Sequence, residues 1–136
     1  AALLFTVGRR YAWQVTDTVD AAAHVPLIHF ADLGAFLRGR PAGCALIGVE
    51  LDPRATPLRM FHHPVRALYL LGAEDRGLSV EARAACDALV VLPGRYCLNV
   101  AVAGSIVLAH RVLQQEREAA LLQSACVKVR QQVLGA

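Results

Sequence analysis

The chain has 136 residues, 56% of them hydrophobic and 18% charged, a balance that excludes a disordered or fibrous polypeptide and predicts one well-packed globular domain. Fourteen Lys and Arg against eleven Asp and Glu leave a formal charge of +3, too small and too scattered to single out a nucleic-acid partner through its phosphates. Aromatic residues make up only 6%, so Ala, Val and Leu must fill the buried positions, as suits helices packed on a parallel sheet in an α/β fold.

Short aliphatic runs alternate with segments of helical period, the pattern of stacked strand-helix units. Ala2 to Val7 reads as the first strand, and Pro26 to Phe30 as the second. Asp32 to Arg38 follows as a short helix opened by an Asp cap. Ala45 to Leu51 and Ala67 to Gly72 read as strands. Ser79 to Ala85 is a second short helix with Ser79 as its cap, and Ala88 to Leu92 a further strand. From Val100 a long amphipathic helix is expected, with Asn99 as N-cap and apolar residues at Val102, Ala103, Ile106, Val107, Val112 and Leu113. Glu116 to Leu134 carries Leu121, Leu122, Ala125, Val129 and Val133 at helical spacing, as the same helix or as a second one packing on a partner chain.

The apolar start, Ala1 to Val7, is followed rather than preceded by Arg9 and Arg10, the reverse of a secretory signal. No run is long enough to span a bilayer, so no membrane role is expected. Cys44, Cys86, Cys97 and Cys126 lie far apart without a C-x-x-C pair, which suggests reduced thiols in a cytoplasmic protein. His24, His29, His62 and His63 have no metal-ligand spacing and read as surface or loop residues, and no metal is expected.

Three stretches carry the chemistry. They are Leu70-Leu71-Gly72-Ala73-Glu74-Asp75-Arg76-Gly77-Leu78-Ser79, then Val90-Val91-Leu92-Pro93, then Cys97-Leu98-Asn99-Val100-Ala101-Val102-Ala103-Gly104. Each sets a strand end beside Gly, Pro or Asn. Ligands of open α/β sheets bind outside the carboxyl ends of strands, where backbone amides and carbonyls leave the ladder, so three such loops can build one pocket.

The order L-G-x-E-x-x-G-L-S, an aliphatic pair with Pro, and C-L-N-V-A-V-A closely resembles the C-terminal motifs of the SpoU and TrmH-like RNA 2′-O-methyltransferases of the SPOUT superfamily. The resemblance covers roughly Ala67 to Arg111, and the upstream strand-helix pattern fits the same family. It implies an α/β fold, a parallel sheet flanked by helices, closed by a C-terminal deep trefoil knot whose last helix passes through a loop; periodicity alone predicts no knot. It further implies S-adenosylmethionine as cofactor, tRNA or rRNA as substrate, and a homodimer formed through the knotted region.

By the same resemblance, Leu71, Gly72, Glu74, Gly77, Leu92, Pro93, Leu98, Asn99 and Ala103 form the cofactor site, with Glu74, Cys97 and Asn99 as the catalytic set. Gly72 and Gly77 would remove side chains where the backbone turns towards the cofactor, and Leu71, Leu92 and Leu98 would wall the adenine. Each has a plainer reading beside it: loop glycines, core leucines, a solvated Glu74 and an Asn99 that only caps its helix. Arg9 and Arg10 are candidate phosphate contacts, against a solvated turn.

Two features depart from the family pattern. Cys97 stands where the family usually has Ser, and a thiol is a weak hydrogen-bond donor. A nucleophilic Cys97 has no nearby His or carboxylate pattern in its support. The family's early N-x-G-x-x-x-R motif is also absent from these 136 residues. Since Ala1 opens almost directly on a strand, a strand-helix segment carrying that motif is expected upstream; the other reading is a protein that does not catalyse by that route. The rival function is therefore a non-catalytic knotted dimer that binds S-adenosylmethionine or RNA. A flavodoxin-like or Rossmann nucleotide protein is disfavoured, because no Gly-rich turn follows an early strand.

Overall fold

The computed structural model describes residues 3–8, 21–73, 75–94 and 98–134. Two compact units make up the chain, Ala1–Cys44 and Ala45–Ala136.

In the first unit, β1 (Leu4–Val7) and β2 (Leu27–Phe30) pair in parallel, with Leu4 opposite Leu27 and Val7 opposite Phe30. A one-turn helix, α1 (Ala21–His24), precedes β2, and α2 (Leu33–Gly39) follows it. Asp32 caps α2 as expected, its Oδ1 accepting from the Ala35 amide at 2.7 Å. A single aromatic residue of α2 centres this unit's core: Phe36 is buried, stacked on Phe5 at 4.7 Å between centroids and edge-on to Phe30 at 5.4 Å.

The second unit is a four-stranded parallel sheet of β3 (Ala45–Val49), β4 (Thr56–Pro57), β5 (Ala67–Leu71) and β6 (Ala88–Val91), in the order β4-β6-β3-β5. Three of these strands stand where the aliphatic runs place them, each ending one or two residues early. At β3 the cause is local: the Glu50 amide still bonds to Val90 O, but the Leu51 amide turns to the Glu50 carboxylate and leaves the ladder. The fourth strand, β4, has no aliphatic run, and its Pro57 is tolerated because β4 lies at a sheet edge. A 3-10 turn, Leu58–Met60, follows it and drops Leu58 into the core.

Helix α3 (Val80–Ala85) is capped by Ser79, whose Oγ accepts from the Ala82 amide at 3.1 Å. It packs closely on β3, since a Cβ at Gly48 would fall within 2.9 Å of Cys86 Sγ and collide with Leu89. The last element, α4 (Val100–Leu134), is one continuous helix of 35 residues, about 50 Å long at ~1.5 Å per residue. That resolves the choice between one helix and two in favour of one. Its Ala103 and Val107 join Ile47, Leu58, Val90 and Leu92 in the core. Burying Val107, 1% exposed, contributes about 1.5–3 kcal/mol. Val102, Ile106, Val112 and Leu113, also among the apolar residues of the expected amphipathic helix, are 38–52% exposed. Among the described residues, no helix is long and apolar enough to cross a membrane.

Candidate functional site

All four strands of the second sheet run the same way, so their carboxyl ends share one edge. The segments leaving β3, β5 and β6, with the first turn of α4, enclose a cleft of about 70 Å³ that opens to solvent. Of the residues named from sequence, Leu71, Gly72, Gly77, Leu92, Pro93, Leu98 and Ala103 all line it. Leu71, Gly72, Gly77, Leu92, Pro93, Leu98 and Ala103 thus meet at one place, although up to 32 positions of chain separate them.

The loop after β5 is held by backbone geometry. It folds back on itself through an Ala73–Gly77 bridge, with the Gly77 amide 2.7 Å from Ala73 O. At Gly72 a Cβ would fall on the backbone of Gly77 and Leu78, which cannot move aside as a flexible side chain would. Gly77 has φ +65°, a left-handed conformation that glycine adopts without cost, and a Cβ there would strike Glu50 Oε2. Gly72 is therefore required by the close approach of the loop's own backbone and Gly77 by its left-handed φ.

Asn99 lies at the start of α4. Its Oδ1 accepts from the Ala101 amide at 2.9 Å and the Val102 amide at 3.4 Å, so it caps the helix whose first turn forms one wall of the cleft. Glu74, Cys97, Arg9 and Arg10 lie outside the described residues.

Glu50 is the residue that sequence reasoning missed. It lines the cleft, and its carboxylate accepts from the Leu78 amide at 2.6 Å through Oε2 and from the Leu51 amide at 2.9 Å through Oε1. The available signal was an acidic residue at the carboxyl end of an aliphatic run, the position where α/β ligands bind. Reading the strand through Leu51 concealed it. Val49, Leu51, Ala73 and Val100 complete the lining. Beyond Glu50, the turn is fixed by Asp52, on which the Arg54 guanidinium sits at 3.0 Å with two nitrogens; this bonding holds the Asp52 carboxyl down to about 2.

His63 lies on the loop before β5, as expected, and is part-buried there: its Nδ1 lies 2.6 Å from Tyr69 Oη and its Nε2 2.9 Å from His110 Nδ1. Arg111 donates to the same Tyr69 oxygen at 3.1 Å and to Pro64 O and Val65 O at 2.7 Å each. Burial raises the Tyr69 phenol. This network ties the segment before β5 to α4, and none of its members lines the cleft. Among the described residues, no three His, Cys, Asp or Glu side chains are grouped to hold a metal ion.

The model of the SpoU rRNA Methylase family matches residues 8–109 of the chain. Comparison with curated proteins finds no match. Among solved structures, the AdoMet-bound rRNA methyltransferase from Sinorhizobium meliloti is 25% identical with a TM-score of 0.69, over 82% of this chain and 45% of that one. A protein solved for structural insights into 2-OH methylation of C/U34 on tRNA is 22% identical with a TM-score of 0.68, over 84% of this chain and 79% of that one. The SpoU methyltransferase AviRb from Streptomyces viridochromogenes, in complex with AdoMet, is 23% identical with a TM-score of 0.68, over 84% of this chain and 50% of that one. The last two likenesses are of fold, and the chain spans about half the length of the Sinorhizobium protein.

Proposed function

The chain belongs to the SpoU rRNA methylase family, and from that premise we propose that it is an RNA methyltransferase that uses S-adenosylmethionine to methylate a ribose 2′-hydroxyl of tRNA or rRNA. One observation carries this reading: three loops distant in sequence converge on one cleft, lined by Leu71, Gly72, Gly77, Leu92, Pro93 and Leu98. Such a cradle fits the flat face of a purine nucleoside. Its leucines offer apolar walls, and the loop backbones offer amides and carbonyls outside the sheet ladder.

In this reading Leu71, Leu92 and Leu98 hold the adenine, and Gly72, Gly77 and Pro93 shape the backbone around it. Ala103, on the first turns of α4, keeps the opposite wall thin. Bound S-adenosylmethionine supplies an electrophilic methyl on a sulfonium centre. The protein's part is to align the ribose hydroxyl with that methyl and to keep water away, because alignment of two reactants removes much of the barrier. Asn99 fixes the start of α4 and thereby the 98–103 wall, while Glu74 and Cys97 belong to the same loops by sequence. The hydroxyl proton passes to solvent or to a neighbouring base as the methyl arrives; Arg9 and Arg10, permanently charged, are candidates for phosphate contact and not for that base.

The reading extends to a homodimer, a C-terminal trefoil knot and work in the cytoplasm. The outward stripe of α4, Val102, Ile106 and Leu113, supports the dimer, since a lone chain leaves these side chains in water.

Incubating the intact protein with methyl-labelled S-adenosylmethionine and total RNA, followed by digestion to nucleosides, tests the proposal. Label on ribose is the expected result, and label confined to a base refutes the 2′-hydroxyl claim. Cofactor binding with no transfer to any RNA would favour the non-catalytic binder, the reading to which Cys97 lends support.

A further inference from the structure

The loop after β5 contains the backbone that the proposed cofactor must meet, and the Ala73–Gly77 bridge closes only its tip. The return limb at Leu78 is instead tied to another strand. Glu50, at the end of β3, receives the Leu78 amide on Oε2 and the Leu51 amide on Oε1, so one carboxylate joins two of the segments that border the cleft. Gly77 takes its left-handed φ directly against that same carboxylate.

We propose that Glu50 is a positioning residue for S-adenosylmethionine, holding residues 72–78 in the shape that receives the cofactor before it arrives. This rests on the methyltransferase reading of the cleft. The physical ground is that a carboxylate accepting two backbone amides makes charge-assisted bonds, roughly twice as strong as neutral ones. The amide of a glutamine has only one accepting atom, so whichever way Glu50→Gln is turned, one backbone N–H meets an NH2 group. A binding loop that must be ordered on ligand arrival binds more weakly than a preformed one.

The test uses the full-length protein and its Glu50→Gln and Glu50→Ala variants, titrated by calorimetry with S-adenosylmethionine and with S-adenosylhomocysteine. Amide hydrogen exchange is followed at Gly77 and Leu78. Glu50→Gln is expected to weaken both ligands alike, by about tenfold or more, and to speed exchange at Gly77 and Leu78 while Leu46 to Gly48 stay protected. In the transfer assay, KM for S-adenosylmethionine rises with Kd, and kcat at saturating cofactor holds to within about threefold of wild type, the signature of lost binding rather than lost chemistry.

A wild type that binds paired with a Glu50→Gln variant that binds equally well overturns the role of Glu50 alone. Weakening of S-adenosylmethionine but not of S-adenosylhomocysteine also overturns it, because Glu50 would then act on the sulfonium charge and not through the loop. General loss of protection across the sheet, with a lowered Tm, assigns Glu50 to stability only. A wild type that takes up neither ligand removes the methyltransferase reading itself, and with it any positioning role in cofactor binding. If Glu50→Ala fails to fold, the nearly isosteric Glu50→Gln carries the test.

Discussion

His63 Nε2 lies 2.9 Å from Nδ1 of His110, so two imidazoles 47 residues apart share a hydrogen bond between the segment before β5 and α4. Burial, then the charge of His110 and of Arg111, pushes the His63 imidazole from an ordinary 6.5 down to about 4. Between those values the unfolded chain binds the proton and the folded one does not. Stability from neutral His63 is therefore complete above pH 6.5, falls as pH drops towards 4, and is gone below that. The group is only part-buried, so screening reduces the effect to about 1–2 kcal/mol. Urea unfolding of wild type and His63→Gln from pH 4 to 7.5 checks this: the stability difference between them shrinks on acidification, and parallel curves would sink the idea.

Gly72 and Gly104 predict opposite outcomes for the same substitution. A Cβ at Gly72 meets the backbone of Gly77 and Leu78, whereas one at Gly104 meets only Leu71 Cδ2 at an ordinary 3.7 Å. Gly72→Ala should cost about 1–3 kcal/mol and abolish cofactor binding, because the 72–78 loop must shift to admit the methyl group. Gly104→Ala lies inside α4 and should stabilise by about 0.5–1 kcal/mol, since alanine loses less backbone freedom on entering a helix. Thermal melts and calorimetry of the two variants decide it; a tolerated Gly72→Ala would mean the loop is not held as described.

These contrasts follow what was and was not legible in the sequence. The strands β1, β2, β3, β5 and β6 announce themselves because aliphatic runs bounded by Gly, Pro or Asp have few other ways to be buried. Asp32, Ser79 and Asn99 read correctly as caps because the cap is a local hydrogen bond, decided within three residues. Glu50 and the His63–Tyr69–His110 network were hidden for the converse reason. Their partners lie 28 and 47 residues away, and no periodicity encodes such a bond. The burial of α4 was half legible: Val102 and Ala103 are both apolar, and only packing on β5 selects Ala103 for the core.

Asn99 is given two roles, and one substitution separates them. As a cap its Oδ1 meets the Ala101 and Val102 amides, a task that aspartate performs equally well. Asn99→Ala should therefore lower stability by about 1 kcal/mol, while Asn99→Asp melts with wild type. The side-chain NH2 is absent from both variants, so if it orders the reacting groups both lose methyl transfer by about tenfold or more. Full activity in Asn99→Asp would reduce Asn99 to a cap.

The outward stripe of α4 gives the dimer a concrete test. Val102, Ile106 and Leu113 are 48%, 38% and 52% exposed, and their spacing of four and seven residues sets them on one side of the helix, apart from the buried Ala103 and Val107. Completing the burial of half-covered side chains of this kind is worth about 1 kcal/mol each, so three from each chain contribute roughly 6 kcal/mol towards association against the costs of ordering. Charges there should prevent it without harming the fold, because the stripe makes no core contact in a single chain. Ile106→Glu with Leu113→Glu is expected to sediment at 14.6 kDa, and the wild type at twice that mass. Methyl transfer should fall with dimerisation if a partner completes the RNA surface. A wild type that sediments as a single chain at micromolar concentration, or a double variant that stays paired, would place the interface elsewhere or remove it.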